Sequence, residues 1–167
     1  PSGAEPMIRD LRSADVPLLR DLARGRMEYL WSPFHEETQR ARAQLNPPII
    51  SVIRAVIKVE SDYDPRVVSS AGARGLMQLM PGTQKEMHVE NVYEPRENIL
   101  GGTRYLRVLA NLFNGSLQLT LAGYNAGEGA VIKYGGIPPY DETQKYVSKV
   151  LSFYNFYRSQ GEAVAAR

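Results

Sequence analysis

Residues 49–61 read Ile-Ile-Ser-Val-Ile-Arg-Ala-Val-Ile-Lys-Val-Glu-Ser, and this stretch constrains the fold more than any other. Apolar side chains dominate it, as in a helix with one buried side. Asn46-Pro47-Pro48 precedes it and Asp64-Pro65 follows, so the sequence predicts one helix over about 48–61. It closes on a carboxylate, Glu60. At ~100° per residue, Ser51, Arg54 and Lys58 fall on one stripe, expected to face solvent. Glu60 falls about 180° from Ser51, on the apolar side with Ile49, Val52, Ile53 and Val56. Asp64 is four residues further on, but Pro65 pushes it out of the helical region. The two carboxylates need not face each other.

A loop of small residues follows, Ser69-Ser-Ala-Gly-Ala-Arg-Gly75. Such a loop lets a bulky substrate approach the backbone. Glu60 then has two readings. It can pair with Arg66 or Arg74, since an ionised Glu is almost never buried alone. Or it can be a general acid, its pKa raised by desolvation and by the negative end of the helix dipole. A Glu held near neutrality can protonate a glycosidic oxygen. Met77 and Met80 flank Gln78 and read as core filler or as walls. Ala122-Gly-Tyr-Asn-Ala-Gly127 sets a phenol and an amide at the end of a buried helix, which is also how a plain helix terminates. Tyr63, Tyr93, Tyr105, Tyr134, Tyr140 and Tyr146 are dispersed and read as packing or as sugar-stacking rings.

The rest of the chain also carries helical periodicity. Helices are expected over 15–30, from Pro81 to Met87, from Pro95 to about 113, over 116–126, within 127–136, and from Asp141 onward. Asp141 and Gln144 suggest a capping box. Gly101-Gly102 suggests close contact between helices. The tail 159–167 is expected to fray. The fold class is therefore all-α, with at most a minor β or irregular segment. With 167 residues the chain fits one domain with a sizeable core. It has no cysteine, which excludes disulfides, thiolate chemistry and a Cys-based zinc site. His35 and His88 read as separate surface residues, so no metal site is expected. There is no phosphate loop, nucleophile elbow or dinucleotide fingerprint, and no cofactor is expected. A net charge of +2 is too mild to argue for nucleic acid. No run reaches the ~18 apolar residues of a membrane span. The chain opens Pro-Ser-Gly-Ala-Glu-Pro without an initiator Met and reads as trimmed, with any export signal or lipid anchor missing.

Four blocks together resemble the catalytic domain of soluble lytic transglycosylases. They are Val59-Glu-Ser61 with Ser69 to Pro81; Pro95-Arg-Glu-Asn-Ile99 with Gly101-Gly-Thr-Arg-Tyr-Leu106; Ala122 to Gly127; and Pro138-Pro-Tyr-Asp-Glu-Thr-Gln-Lys-Tyr-Val147. The resemblance covers about residues 48–157. Gly123 departs from it, since Ala is more usual there. The resemblance implies a lysozyme-like fold, close to goose-type lysozyme, and peptidoglycan glycan strands as substrate. It implies cleavage after N-acetylmuramic acid without water, leaving 1,6-anhydro ends. Glu60 would be the single acid, then the base. Gln78, Tyr124 and Asn125 would hold the N-acetyl group or the reacting oxygen. Ser61, Ser69, Ser70, Met77 and Met80 would line the groove, with Glu142 and Tyr146 against sugar or peptide. A periplasmic or cell-envelope location follows from the same resemblance.

An ordinary glycosidase needs two placed carboxylates, and the sequence offers one. The competing readings are a hydrolytic goose-type lysozyme, with Asp62 or Asp64 steering water, and a non-catalytic wall-binding or secretion-scaffold module. Residues 1–46 lie outside the resemblance and are expected to form a helical extension on a catalytic domain of 47–158.

Overall fold

The computed structural model describes residues 49–165. The helix expected over 15–30 and the rest of the 1–46 extension lie outside them, as does His35. Six helices follow in order: α1 (Ile49–Ser61), α2 (Pro81–Glu86), α3 (Pro95–Leu112), α4 (Leu117–Ala126), α5 (Glu128–Tyr134) and α6 (Asp141–Ala165). Among the described residues the β structure is limited to two isolated bridges, Val68 with Arg74 and Arg74 with Leu79. The all-α expectation with a minor β segment therefore holds.

Helix α1 is central. Helix α6 packs against it and against α4, while α4 also packs on α3 and α5. Ile53, Val56 and Ile57 of α1 are fully buried with Leu76, Met77, Leu79, Ile99 and Leu121. The stripe expected to face solvent does not. Ser51 and Arg54 are buried and Lys58 is half-buried. The reason is α6, which covers that side with aromatic rings. The Arg54 guanidinium lies 4.1 Å from the centroid of Tyr157, and Lys58 Nζ lies 5.8 Å from that of Phe153. Cationic side chains can lie against ring faces, so polarity did not keep this stripe in water.

Local signals set the helix ends. Pro95 opens α3, and the Glu94 carboxylate accepts from the Glu97 N–H at 2.7 Å. Ser116 caps α4 through the Leu119 N–H. Helix α6 starts at Asp141 itself, so Asp141 and Glu142 serve as first-turn acids in place of the expected capping box. It also runs on to Ala165, past the point where fraying was expected. The Gly101-Gly102 pair does make a close approach, but to loop side chains and not to a second helix. A Cβ on Gly102 would lie 2.4 Å from Met77 Sδ, and one on Gly101 would lie 2.3 Å from Val89 Cγ2. These glycines form a notch in α3 that receives side chains from both sides of α2, Met77 and Leu79 before it and Val89 after it.

Candidate active site

Glu60 sits one residue before the end of α1. Among the described residues its carboxyl has no ion-pair partner, so the pairing with Arg66 or Arg74 is not formed. Its pKa is pushed up from 4.5 to about 7. Desolvation is the main cause, opposed by the nearby Tyr146 hydroxyl and reinforced by the charge of Glu142. The Tyr146 oxygen is enclosed and makes no hydrogen bond of normal geometry, yet it lies near enough to Glu60 to favour the anion. The carboxyl is thus poised between neutral and charged at physiological pH.

Other carboxylates on this chain segment point elsewhere. Asp62 is exposed and bonded to Lys58. Asp64 is exposed and accepts from the Arg66 N–H at 2.8 Å, closing a turn. Asp62 and Tyr63 both have positive φ, 50° and 68°, so the chain leaves α1 through a tight reversal. Tyr63 anchors it there, its hydroxyl donating to Tyr157 at 3.0 Å. A surface hollow of about 350 Å³ is lined by Lys58, Asp62, Tyr63 and Tyr157. Lys58 is ~200° around the helix from Glu60, so the hollow lies behind the acid and is separate from it.

The small-residue loop is held by a dense set of bonds. The Arg74 and Leu79 backbones exchange hydrogen bonds at 3.1 and 3.0 Å, and the Gly75 N–H reaches Val67 O at 2.9 Å. Gln78 adopts φ of 49°, and its Nε2 donates to Val67 O and Gly75 O, both at 3.0 Å. Its amide nitrogen therefore binds the loop, and Oε1 is what it offers outward. Ser61 Oγ donates to Leu76 O at 2.8 Å, so this hydroxyl ties helix to loop. Ser69 Oγ accepts from the Ala73 N–H at 3.0 Å, while Ser70 is exposed.

Met77 and Met80 part company. Met80 is 44 % exposed and can wall a groove. Met77 is fully buried, with its thioether in the Gly102 notch, so it does not line the groove as expected. What Met77 presents is its backbone carbonyl, which accepts from the Tyr124 hydroxyl at 2.8 Å. Tyr124 is close enough to Glu60 for that charge to raise its pKa further, beyond the effect of burial. Asn125 Oδ1 accepts from Thr143 Oγ1 at 2.8 Å, linking α4 to α6. Tyr146 is buried on α6, and Glu142 is exposed one turn before it. The structure thus brings Glu60, Tyr124, Tyr146 and Glu142 into one electrostatic group.

Two contributors, Asn98 and Thr143, were not singled out from sequence, and a third, Tyr105, was read only as one of the dispersed rings. Asn98 is fully buried and supports the loop from α3. Its signal was an Asn inside the first turns of a helix, where its propensity is poor. Thr143 orients Asn125. Tyr105 packs its ring 5.3 Å from that of Tyr124, and its hydroxyl reaches Glu128 at 3.4 Å.

The model of the transglycosylase SLT domain family matches residues 38–147, and the chain belongs to that family. It is 35% identical over 115 residues to the transglycosylase of Enterobacteria phage PRD1, covering 69% of this chain and 40% of that protein. It is 33% identical over 133 residues to the soluble lytic murein transglycosylase of Salmonella typhimurium, covering 65% of this chain and 20% of that protein. The crystal structure of the 70 kDa soluble lytic transglycosylase from Escherichia coli superposes with a TM-score of 0.61 at 26% identity, over 93% of this chain and 29% of that one. The chain therefore spans two fifths or less of the length of these proteins.

Proposed function

We propose that this chain is the catalytic domain of a peptidoglycan lytic transglycosylase, with Glu60 as its only acid–base group. The observation that carries this reading is the enclosed Glu60 carboxyl, without an ion pair among the described residues and with its pKa near 7. In the neutral form it gives its proton to the glycosidic oxygen between N-acetylmuramic acid and N-acetylglucosamine, and the C1–O bond breaks. The acetamido carbonyl of the muramic acid shares the charge at C1. The C6 hydroxyl of that sugar then adds to C1 and returns a proton to Glu60. A 1,6-anhydro ring forms, no water is consumed, and the enzyme ends as it began.

An internal nucleophile needs positioning more than activation. Gln78 Oε1, the Asn125 amide and the Tyr124 oxygen are the groups we assign to holding the sugar. Ser69, Ser70 and Met80 are assigned to the wall of the glycan groove, which the exposure of Ser70 and Met80 permits. Glu142 and Tyr146 close the other side of the acid. The catalytic domain is assigned to 47–158, with 1–46 as an extension of separate role. Peptidoglycan is the proposed partner and the cell envelope the proposed location. No described helix is long and apolar enough to cross a membrane.

Hydrolysis is kept as a second reading for one reason. Glu142 is close enough for its charge to register at Glu60, and a second carboxylate can activate water. Digestion of purified sacculi followed by mass spectrometry decides between them. The proposal expects 1,6-anhydromuramic ends, lighter by one water than hydrolysed ends. A dominant reducing end that takes up borohydride replaces it with a lysozyme.

A further inference from the structure

Asn98 is the most heavily used side chain in the loop's support. It is fully buried on α3. Its Nδ2 donates to Val92 O at 2.8 Å and to Arg74 O at 3.1 Å, while its Oδ1 accepts from the Met77 N–H at 2.8 Å. Room for this amide comes from Gly75, where a Cβ would lie 2.2 Å from Asn98 Nδ2. Met77 is therefore gripped at its N–H by Asn98 and at its side chain by the Gly102 notch. Its carbonyl has one described use, as the acceptor for the Tyr124 hydroxyl at 2.8 Å.

A phenol has a single proton. With that proton spent on Met77, the Tyr124 oxygen can only accept from anything else it meets. We propose that Asn98 is a positioning residue that fixes Met77 so that Tyr124 faces the cleft as a hydrogen-bond acceptor. The inference rests on the reading of Glu60 and Tyr124 as the site of glycan cleavage. It specifies which part of the substrate Tyr124 takes: a donor, either the acetamido N–H or a sugar hydroxyl, and not a carbonyl oxygen.

A double-mutant cycle on sacculus digestion tests the link. Tyr124→Phe removes the acceptor and is expected to lower kcat at least ~10-fold, the worth of one buried hydrogen bond. Asn98→Ala is expected to lower it by a similar factor. The double variant should fall no more than about twofold below Tyr124→Phe, because Asn98 acts through Tyr124. Losses that multiply would mean that Asn98 only holds the fold, and would overturn the proposal. A second measurement needs neither the variant nor activity. In wild-type protein carrying labelled tyrosine and methionine, the Tyr124 hydroxyl proton should exchange slowly and correlate with the Met77 carbonyl carbon by NMR. A freely exchanging proton there overturns the proposed polarity. A wild-type chain inert toward sacculi would sink the catalytic reading instead, and leave the NMR result to stand on its own.

Discussion

Glu60→Gln should abolish turnover and at the same time stabilise the protein, but only at higher pH. The carboxyl has a pKa of 4.5 when solvated and about 7 in the fold. The native state therefore holds a proton that the unfolded chain has lost between those values, and stability falls as pH rises through that window. The sign is that of any group whose folded pKa is raised: the stability is present below pH 4.5 and lost by the time pH passes 7. At 1.36 kcal/mol per unit, the raised pKa corresponds to about 3 kcal/mol, or on the order of 10 °C in Tm for a chain of this size. Glutamine has the shape of the protonated acid and no charge to desolvate. The variant should match wild type in urea denaturation at pH 4.5 and exceed it by about 3 kcal/mol at pH 8. Dye release from labelled sacculi should drop at least ~100-fold in the same preparation. A stability difference independent of pH, or none at pH 8, would refute the claim that the fold taxes this charge. Normal dye release would refute its role as the acid.

The pH–rate profile should follow the same group: kcat/KM should hold below pH 7 and fall about tenfold per unit above it, since the free enzyme must carry the proton. Removing the Glu142 charge with Glu142→Gln should move that alkaline limb downward, because Glu142 raises the Glu60 pKa; a limb that stays in place would show that its charge is not felt. Gly75→Ala should cost roughly 2–5 kcal/mol in chemical denaturation, combining a left-handed φ of 77° with overpacking against Asn98 and Val92 O. Met77→Ala should cost about 2–5 kcal/mol as a cavity mutant, while Met80→Ala should leave stability within ~0.5 kcal/mol and instead raise KM for sacculi.

Periodicity made the helices legible, and the angular position of Glu60 in α1 placed it on the buried side before any contact was known. Periodicity cannot see what covers the opposite stripe. Arg54 read as solvent-facing because sequence alone does not reveal that Tyr157, a hundred residues away, brings a ring face to it. Met77 failed for a similar reason. A methionine beside Gln78 looks like Met80 in sequence, and only the notch at Gly102 decides which one turns inward. The Gly-Gly pair was visible as a demand for close approach, but not who would approach. Asn98 was visible as a poor helix residue, but its three partners lie between 6 and 24 residues away.

These long-range facts converge on α6. One face of it covers the Arg54 stripe and completes the burial of α1. Its first turns bring Thr143 to Asn125, Tyr146 to the acid, and the Glu142 charge within range. The helix that makes α1 a core element is thus also the helix that sets the environment of Glu60. Desolvation, the largest cause of the raised pKa, is then a consequence of how α1 is packed. A substitution that loosens the buried face of α6, such as Val150→Ala, should let water reach Glu60 and bring its pKa down. Stability and the alkaline limb of the rate profile should fall together in such variants. If the limb holds while stability falls, the desolvation of Glu60 comes from its other neighbours, and α6 acts on the acid only through Tyr146 and Glu142.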